Sequence, residues 1–164
     1  MSDDVGVSDP IDPDVDLRVP SQRRELLRTH GAVLAVVALG GGLGALARLG
    51  LSELFPARPG AFPAATFATN VAGCFLIGVL MVLITEAWSA HRLVRPFLGV
   101  GVLGGFTTFS AYAVESRVLL EPGTVLIAFG YLAGTLICSL LAVLVAVWLT
   151  RSATGVARRR DERN

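Results

Sequence analysis

Four apolar runs dominate the chain and set its fold class. They cover about residues 31–51, 62–85, 96–118 and 124–149. Each has the roughly 20 residues that an α-helix needs to cross the hydrocarbon core of a bilayer. Hydrophobic residues make up 53% of the 164-residue chain, a share above that of ordinary soluble domains. We therefore predict an all-α membrane protein, with four transmembrane helices in one domain over residues 31–150.

The charged residues gather outside these runs, at both ends and in short loops. Residues 1–30 comprise an acidic, proline-interrupted tail, which we predict to be disordered, and a basic flank beside the first run. Residues 151–164 form a basic C-terminal tail. The net charge is only +1, so we expect the lipid bilayer as a partner and no nucleic acid.

The arginines predict how the chain lies in the membrane. In a chain with four spans, both terminal flanks and the middle loop lie on one side, and they hold eleven of the 14 basic residues. The opposite side holds Arg48, Arg58 and Arg117. Basic residues concentrate in cytoplasmic flanks. We therefore predict a multi-pass protein of the plasma (inner) membrane with both termini in the cytoplasm.

The third run contains a stretch that should form a poor helix. Gly104 and Gly105 are flexible, and two β-branched residues, Thr107 and Thr108, follow closely. An interruption frees backbone carbonyls that hydrocarbon cannot satisfy, so a break persists only where it is buried in protein, lines water or holds an ion. The stretch therefore predicts a broken third helix that carries an ion site.

The polar side chains at membrane depth are nearly all hydrogen-bond donors, and none is a carboxylate. They are Asn70, Thr107, Thr108, Ser110, Tyr112, Tyr131, Thr135 and Ser139. Cation paths usually carry intramembrane Asp or Glu, so this lining favours an anion, and the positive edges of aromatic rings add to it. Tyr131, Thr135 and Ser139, spaced by four, share one helical face. Two alternatives remain open: Asn70 as a bond between helices, and hydroxyls that bond their own backbone.

Three stretches resemble the CrcB/Fluc fluoride channel family. They are residues 41–48 (GGLGALAR), Phe62-Pro63 with Asn70, and residues 101–110 (GVLGGFTTFS). The resemblance covers about residues 40–149, which include all four runs. It implies an antiparallel dimer of four-helix subunits with two fluoride pores, and passive fluoride efflux that lowers the cytoplasmic fluoride concentration.

The resemblance also implies roles for individual residues. A structural Na⁺ that is not transported would be held by the backbone carbonyls of Gly104 and Thr107 from each subunit. Arg48 and Glu115 match residues at the pore vestibule. The predicted pore lining comprises Asn70, Thr108, Phe109, Ser110, Tyr112, Tyr131, Thr135 and Ser139.

The chain departs from the family pattern in two ways. Where the family usually reads Phe-Ser-Thr-Phe, this chain has Ala111 and Tyr112, so Tyr112 supplies the second pore ring. The arginine asymmetry is the second departure, because a homodimer of opposite orientations needs a chain that inserts both ways. We therefore hypothesise a heterodimer with an oppositely oriented paralogue, and a homodimer is the alternative.

Other functions are less consistent with the sequence. A non-conducting structural subunit that completes a partner's pore remains an alternative because of Tyr112. A small four-helix drug or cation antiporter needs a membrane-embedded glutamate early in the chain, and the first run has none. No nucleophile–base pair or metal cluster occurs at membrane depth, so an enzyme is not expected.

Overall fold

The computed structural model describes residues 20–87 and 91–155, and this part of the chain is helical without any strand. The acidic tail, Trp88 and the end of the basic tail lie outside these residues. The elements are α1 (Pro20–Leu54), α2 (Ala64–Val82), the π-helical turn π1 (Leu83–Ala87), the π-helical segment π2 (Arg95–Leu103), the short α3 (Gly104–Phe106), α4 (Phe109–Leu119) and α5 (Val125–Thr154).

Within the described residues, four helices are long and apolar enough to cross a membrane. They cover His30–Leu54, Ala64–Glu86, Arg95–Leu119 and Val125–Thr154. The prediction of an all-α protein with four transmembrane helices is therefore confirmed. All four spans end one to five residues after the predicted bounds, whereas the second and fourth begin one or two residues inside them. α1 also takes in residues 20–30 of the basic flank.

The third span is broken, as the sequence predicted, but not at its glycine pair. Gly104 and Gly105 are helical, whereas Thr107 and Thr108 are extended with ψ angles of 157° and 123°. The helix therefore ends at Phe106 and begins again one residue after Thr108. Extended backbone suits β-branched residues, which explains why the interruption falls on the threonines.

The glycines serve close packing between α1 and the third span. A Cβ on Gly44 would collide with the carbonyl of Val102, and a Cβ on Gly105 would collide with the carbonyl of Gly41. Small residues let helix backbones approach closely where no hydrophobic effect draws helices together. This contact fixes the position of the helix end that precedes the break.

Spans two and four form the other close pair. At Gly78 an added Cβ would lie 2.8 Å from the Cβ of Ala146 and 3.0 Å from the carbonyl oxygen of Val143. At the end of the same pair, Arg151 Nε donates to both carboxylate oxygens of Glu86, at 2.9 and 3.1 Å. α2 and α5 are thus held together at this end, and a groove opens between them farther along.

Candidate functional site

The groove lies where the break in the third span faces α2 and α5, and it has a volume of about 300 Å³. Among the described residues its walls comprise Asn70, Cys74, Thr107, Thr108, Phe109, Tyr112, Thr135, Leu136 and Ser139. The structure thus brings together seven of the residues predicted from the sequence. Cys74 and Leu136 were not predicted. Their positions, one turn after Asn70 and one residue after Thr135, could have indicated them.

Asn70 joins α2 to the break. Its Oδ1 accepts a hydrogen bond from the Thr108 backbone N–H at 2.8 Å, and its Nδ2 donates to the Thr108 carbonyl at 3.0 Å. Thr108 lies outside both flanking helices, so these bonds replace helical partners in a region where water is scarce. Asn70 therefore bonds two spans together, and one amide N–H of its side chain is left for another acceptor.

The hydroxyl groups at the break are used locally. Thr107 Oγ1 donates to the Leu103 carbonyl at 3.0 Å, which closes the preceding helix. Thr108 Oγ1 accepts from the Ala111 N–H at 3.2 Å and so caps the N-terminus of α4. The same oxygen lies 3.3 Å from Ser110 Oγ. These threonine hydroxyls hold the break in shape rather than extending freely into the groove.

Two backbone carbonyls lose the amide donors that a continuous helix would give them. The carbonyl of Gly104 would bond the Thr108 N–H, which instead bonds Asn70. The carbonyl of Thr107 would bond the Ala111 N–H, which instead bonds the Thr108 hydroxyl. Gly104 lies on the exposed surface of the subunit. These are the two carbonyls that the sequence resemblance assigned to Na⁺, and carbonyl oxygens are ligands that suit a hard cation.

Arg48 and Ser110 are predicted residues that the groove does not include. Arg48 Nε donates to the Gly105 carbonyl at 3.3 Å, so the arginine of α1 contacts the helix end just before the break. Ser110 is exposed and contacts Thr108 beside the groove.

The hydroxyl track of α5, which comprises Tyr131, Thr135 and Ser139, divides into two parts. Tyr131 is fully buried outside the groove and donates to Glu115 Oε2 at 2.7 Å. Thr66 Oγ1 donates to the other oxygen, Oε1, at 2.8 Å. The carboxylate of Glu115 is therefore held by two hydroxyls away from the groove. Of the three predicted track residues, the groove keeps Thr135 and Ser139.

Thr135 carries an unsatisfied polar atom. The residue is 6% exposed, and within the described part of the chain its Oγ1 has no hydrogen-bond partner. A buried polar group without a partner costs about 1–3 kcal/mol, so such groups usually mark a bound ion, a water or a functional role. Thr135 belongs to the wall of the groove, so an acceptor that enters the groove is a candidate partner for this hydroxyl.

Two aromatic rings form the mouth of the groove. The Phe109 side chain is 79% exposed, and its ring centroid lies 5.9 Å from that of Tyr112. The Tyr112 hydroxyl donates to the Leu132 carbonyl of α5 at 3.0 Å. The hydroxyl that distinguishes Tyr from Phe is thus bonded to a neighbouring helix, and the ring remains as a wall of the groove.

The chain is similar to known proteins over most of its length. Residues 35–147 match the family model described as CrcB-like protein, Camphor Resistance (CrcB). A protein of Nocardia farcinica named fluoride-specific ion channel FluC 2 is 60% identical over 128 residues, which cover 78% of this chain and 91% of that protein. The FluC 1 protein of Streptomyces coelicolor is 53% identical over 82% of this chain and 88% of its own length.

Streptomyces avermitilis has two similar proteins, named FluC 2 and FluC 3, which are 53% and 45% identical to this chain. The relatives are named as ion channels, a class without enzymatic activity. Four spans and these similarities establish that the chain is a multi-pass membrane protein and a member of the CrcB family.

Proposed function

We propose that the chain is a subunit of a fluoride-selective channel that lets fluoride leave the cytoplasm passively. The observation that carries this proposal is the buried hydroxyl of Thr135, a residue of the groove wall, which has no partner in the described structure. None of the groove residues is a carboxylate, and the nearest acid, Glu115, is held elsewhere by two hydroxyls. The names of the relatives support fluoride as the anion.

The groove supplies donors and ring edges in place of water. Thr135 and Ser139 contribute hydroxyls, and Asn70 contributes its remaining N–H. Phe109 and Tyr112 present aromatic rings, whose edges carry partial positive charge. A small, strongly hydrated anion exchanges water for these groups as it passes. Fluoride fits a narrow path of this kind better than larger anions do.

One subunit supplies only part of such a path. The groove of about 300 Å³ is open to the surface of the single subunit, so the walls of one subunit do not enclose an ion on all sides. The ring of Phe109 is also exposed, which leaves it available for contact with a second subunit. We propose that a second, antiparallel subunit narrows the groove, and that the pair carries two pores.

The identity of the second subunit follows from the charges. Eleven of the 14 arginines belong to one side of the membrane, which favours insertion in a single orientation with both termini in the cytoplasm. An oppositely oriented paralogue is therefore the proposed partner, and a homodimer is the alternative. Two similar proteins in Streptomyces avermitilis support the presence of paralogous subunits in one cell.

A structural Na⁺ fits the centre of such a dimer. The carbonyls of Gly104 and Thr107 from each subunit would hold it, because their helical donors are bonded elsewhere. When bound, the ion supplies a fixed positive charge that satisfies these carbonyls. Side-chain changes at Thr107 need not remove it, since the proposed ligand is a backbone oxygen.

A purely structural subunit has less support. That hypothesis requires the Tyr112 hydroxyl to obstruct the pore. The hydroxyl is instead bonded to the Leu132 carbonyl. The ring can therefore line a pore as a phenylalanine would.

Fluoride efflux from liposomes tests the proposal. The purified chain is reconstituted alone and with a paralogue from the same genome, with chloride as the control anion. We expect fluoride flux with the paralogue, none with the chain alone, and no chloride flux. Fluoride flux from the chain alone would establish a homodimer. No flux in either preparation would overturn the proposed channel function.

A further inference from the structure

The groove contains a free cysteine that the proposed function does not use. Cys74 is half-buried and lies one helical turn after Asn70 on the same face of α2. Thr135 and Ser139 form the opposite wall. The second free cysteine, Cys138, is also half-buried, but it is not among the residues that line the groove.

Cys74 lies near two close contacts that α2 makes with neighbouring spans. The neighbouring Gly73 lies so close to the Thr107 methyl group that no side chain fits there. One turn farther along, Gly78 packs against Ala146 with no room for a side chain. These contacts leave little space beside Cys74, whereas the groove that Cys74 lines offers room for an atom added to its sulfur.

An independent feature of the same groove points to a ligand. The Thr135 hydroxyl is buried in its wall and lacks a partner in the described part of the chain. A small polar or ionic species that reaches Thr135 enters the space that Cys74 also borders. The sulfur is therefore within reach of small solutes that use this route.

We propose that Cys74 is a modification site in the ion path, at which small thiol-directed electrophiles block conduction. The inference rests on the proposed channel function. With methyl methanethiosulfonate, the Cys74 thiol loses its proton to water, and the thiolate attacks the sulfenyl sulfur of the reagent. A new S–S bond forms, the S–SO₂ bond breaks, and methanesulfinate leaves. The S-methylthio group then occupies the part of the groove beside Cys74.

The test uses the two cysteines as a matched pair. In the Cys138→Ser variant only Cys74 can react, and in the Cys74→Ser variant only Cys138 can. Each protein is reconstituted with its partner and treated with methyl methanethiosulfonate. Its fluoride flux is then compared with its own untreated flux. Intact-protein mass reports the added S-methylthio group independently of conduction.

We expect treatment to lower the flux of Cys138→Ser at least tenfold, with recovery after reduction by dithiothreitol. The treated-to-untreated ratio of Cys74→Ser should stay near one. Normal flux from fully modified Cys138→Ser would overturn the proposal, as would a Cys74 that does not react in the folded protein. If untreated vesicles carry no flux, the channel function itself fails and the proposed block falls with it. The masses then still report whether the reagent reaches Cys74.

Discussion

At the residue scale, the groove distinguishes side chains that shape the site from those free to meet an ion. The hydroxyls of Thr107 and Thr108 form bonds within the break, whereas the buried hydroxyl of Thr135 has no partner among the residues that the structure describes. The sequence alone could not make this distinction, because all three are threonines in apolar runs. It depends on which backbone groups lie nearby after folding.

Asn70→Asp should abolish fluoride flux. The change replaces the Nδ2 donor to the Thr108 carbonyl with a carboxylate oxygen, and it adds negative charge to an anion path. The lost bond, and the repulsion between the new carboxylate and the Thr108 carbonyl, should also lower stability by about 1–3 kcal/mol. Liposome flux and thermal unfolding in detergent measure the two effects. Unchanged flux would show that Asn70 bonds the helices without bordering the path.

Phe109→Ile should impair conduction without unfolding the protein. The Phe109 ring is exposed at the groove, so the change removes a ring edge from the path but no buried contact. Phe129→Ile is the matched control, since Phe129 is also exposed and does not line the groove. Size-exclusion profiles should match for both variants. Equal flux from the two would assign Phe109 a packing role only.

At the element scale, the sequence predicted which span is broken but not how the break is held. The interruption lies at Thr107 and Thr108, two residues after the glycine pair, and Asn70 of α2 supplies the bonds that stabilise it. Gly105 is needed for contact with α1 rather than for flexibility. These long-range contacts leave no local signal in the sequence, so the exact point of the break could not be predicted.

The hydroxyl track shows a limit to what residue spacing along a helix can predict. Residues four apart on an α-helix rotate by about 40° per step, so the first and third of the track differ by about 80°. Tyr131 therefore turns toward Glu115, while Thr135 and Ser139 line the groove. A four-residue spacing indicates neighbours, but it does not require that all of them share one cavity.

Gly44→Ala should separate α1 from the third span. An added Cβ would collide with the carbonyl of Val102 and lie 2.7 Å from the backbone nitrogen of Phe106, just before the break. Overpacking of this kind costs about 1–3 kcal/mol or more. We expect a lower unfolding temperature in detergent. Gly42→Ala is the control, because nothing lies within 4 Å of its added Cβ and alanine favours helix. Equal stability of the two variants would contradict the packing account.

At the scale of the whole molecule, the proposed path needs a second subunit to complete it. The groove is open on one side, and the ring of Phe109 is exposed there. The four spans and the family were predictable because length, hydropathy and motifs are properties of the sequence. The partner subunit depends on which other chains the cell makes. Of the features of this chain, only the arginine asymmetry bears on the partner's identity.

The arginine asymmetry predicts one orientation in the membrane. Reporter fusions at the C-terminus, active on only one side of the membrane, should place it in the cytoplasm in essentially all molecules. Replacing Arg92 and Arg95 in the middle loop with Gln reduces the excess and should produce a mixed population. A natural chain that already inserts equally in both orientations would contradict the heterodimer hypothesis.

Fluoride flux through Thr135→Val, beside Thr69→Val, tests the central claim most directly. Thr69 is also buried, but its hydroxyl bonds the Ala65 carbonyl at 2.8 Å and it does not line the groove. Thr135→Val removes an unpartnered hydroxyl at nearly constant volume, so stability should hold or rise while flux falls at least tenfold. Thr69→Val should keep most of its flux. Undiminished flux through Thr135→Val would show that fluoride does not pass through this groove.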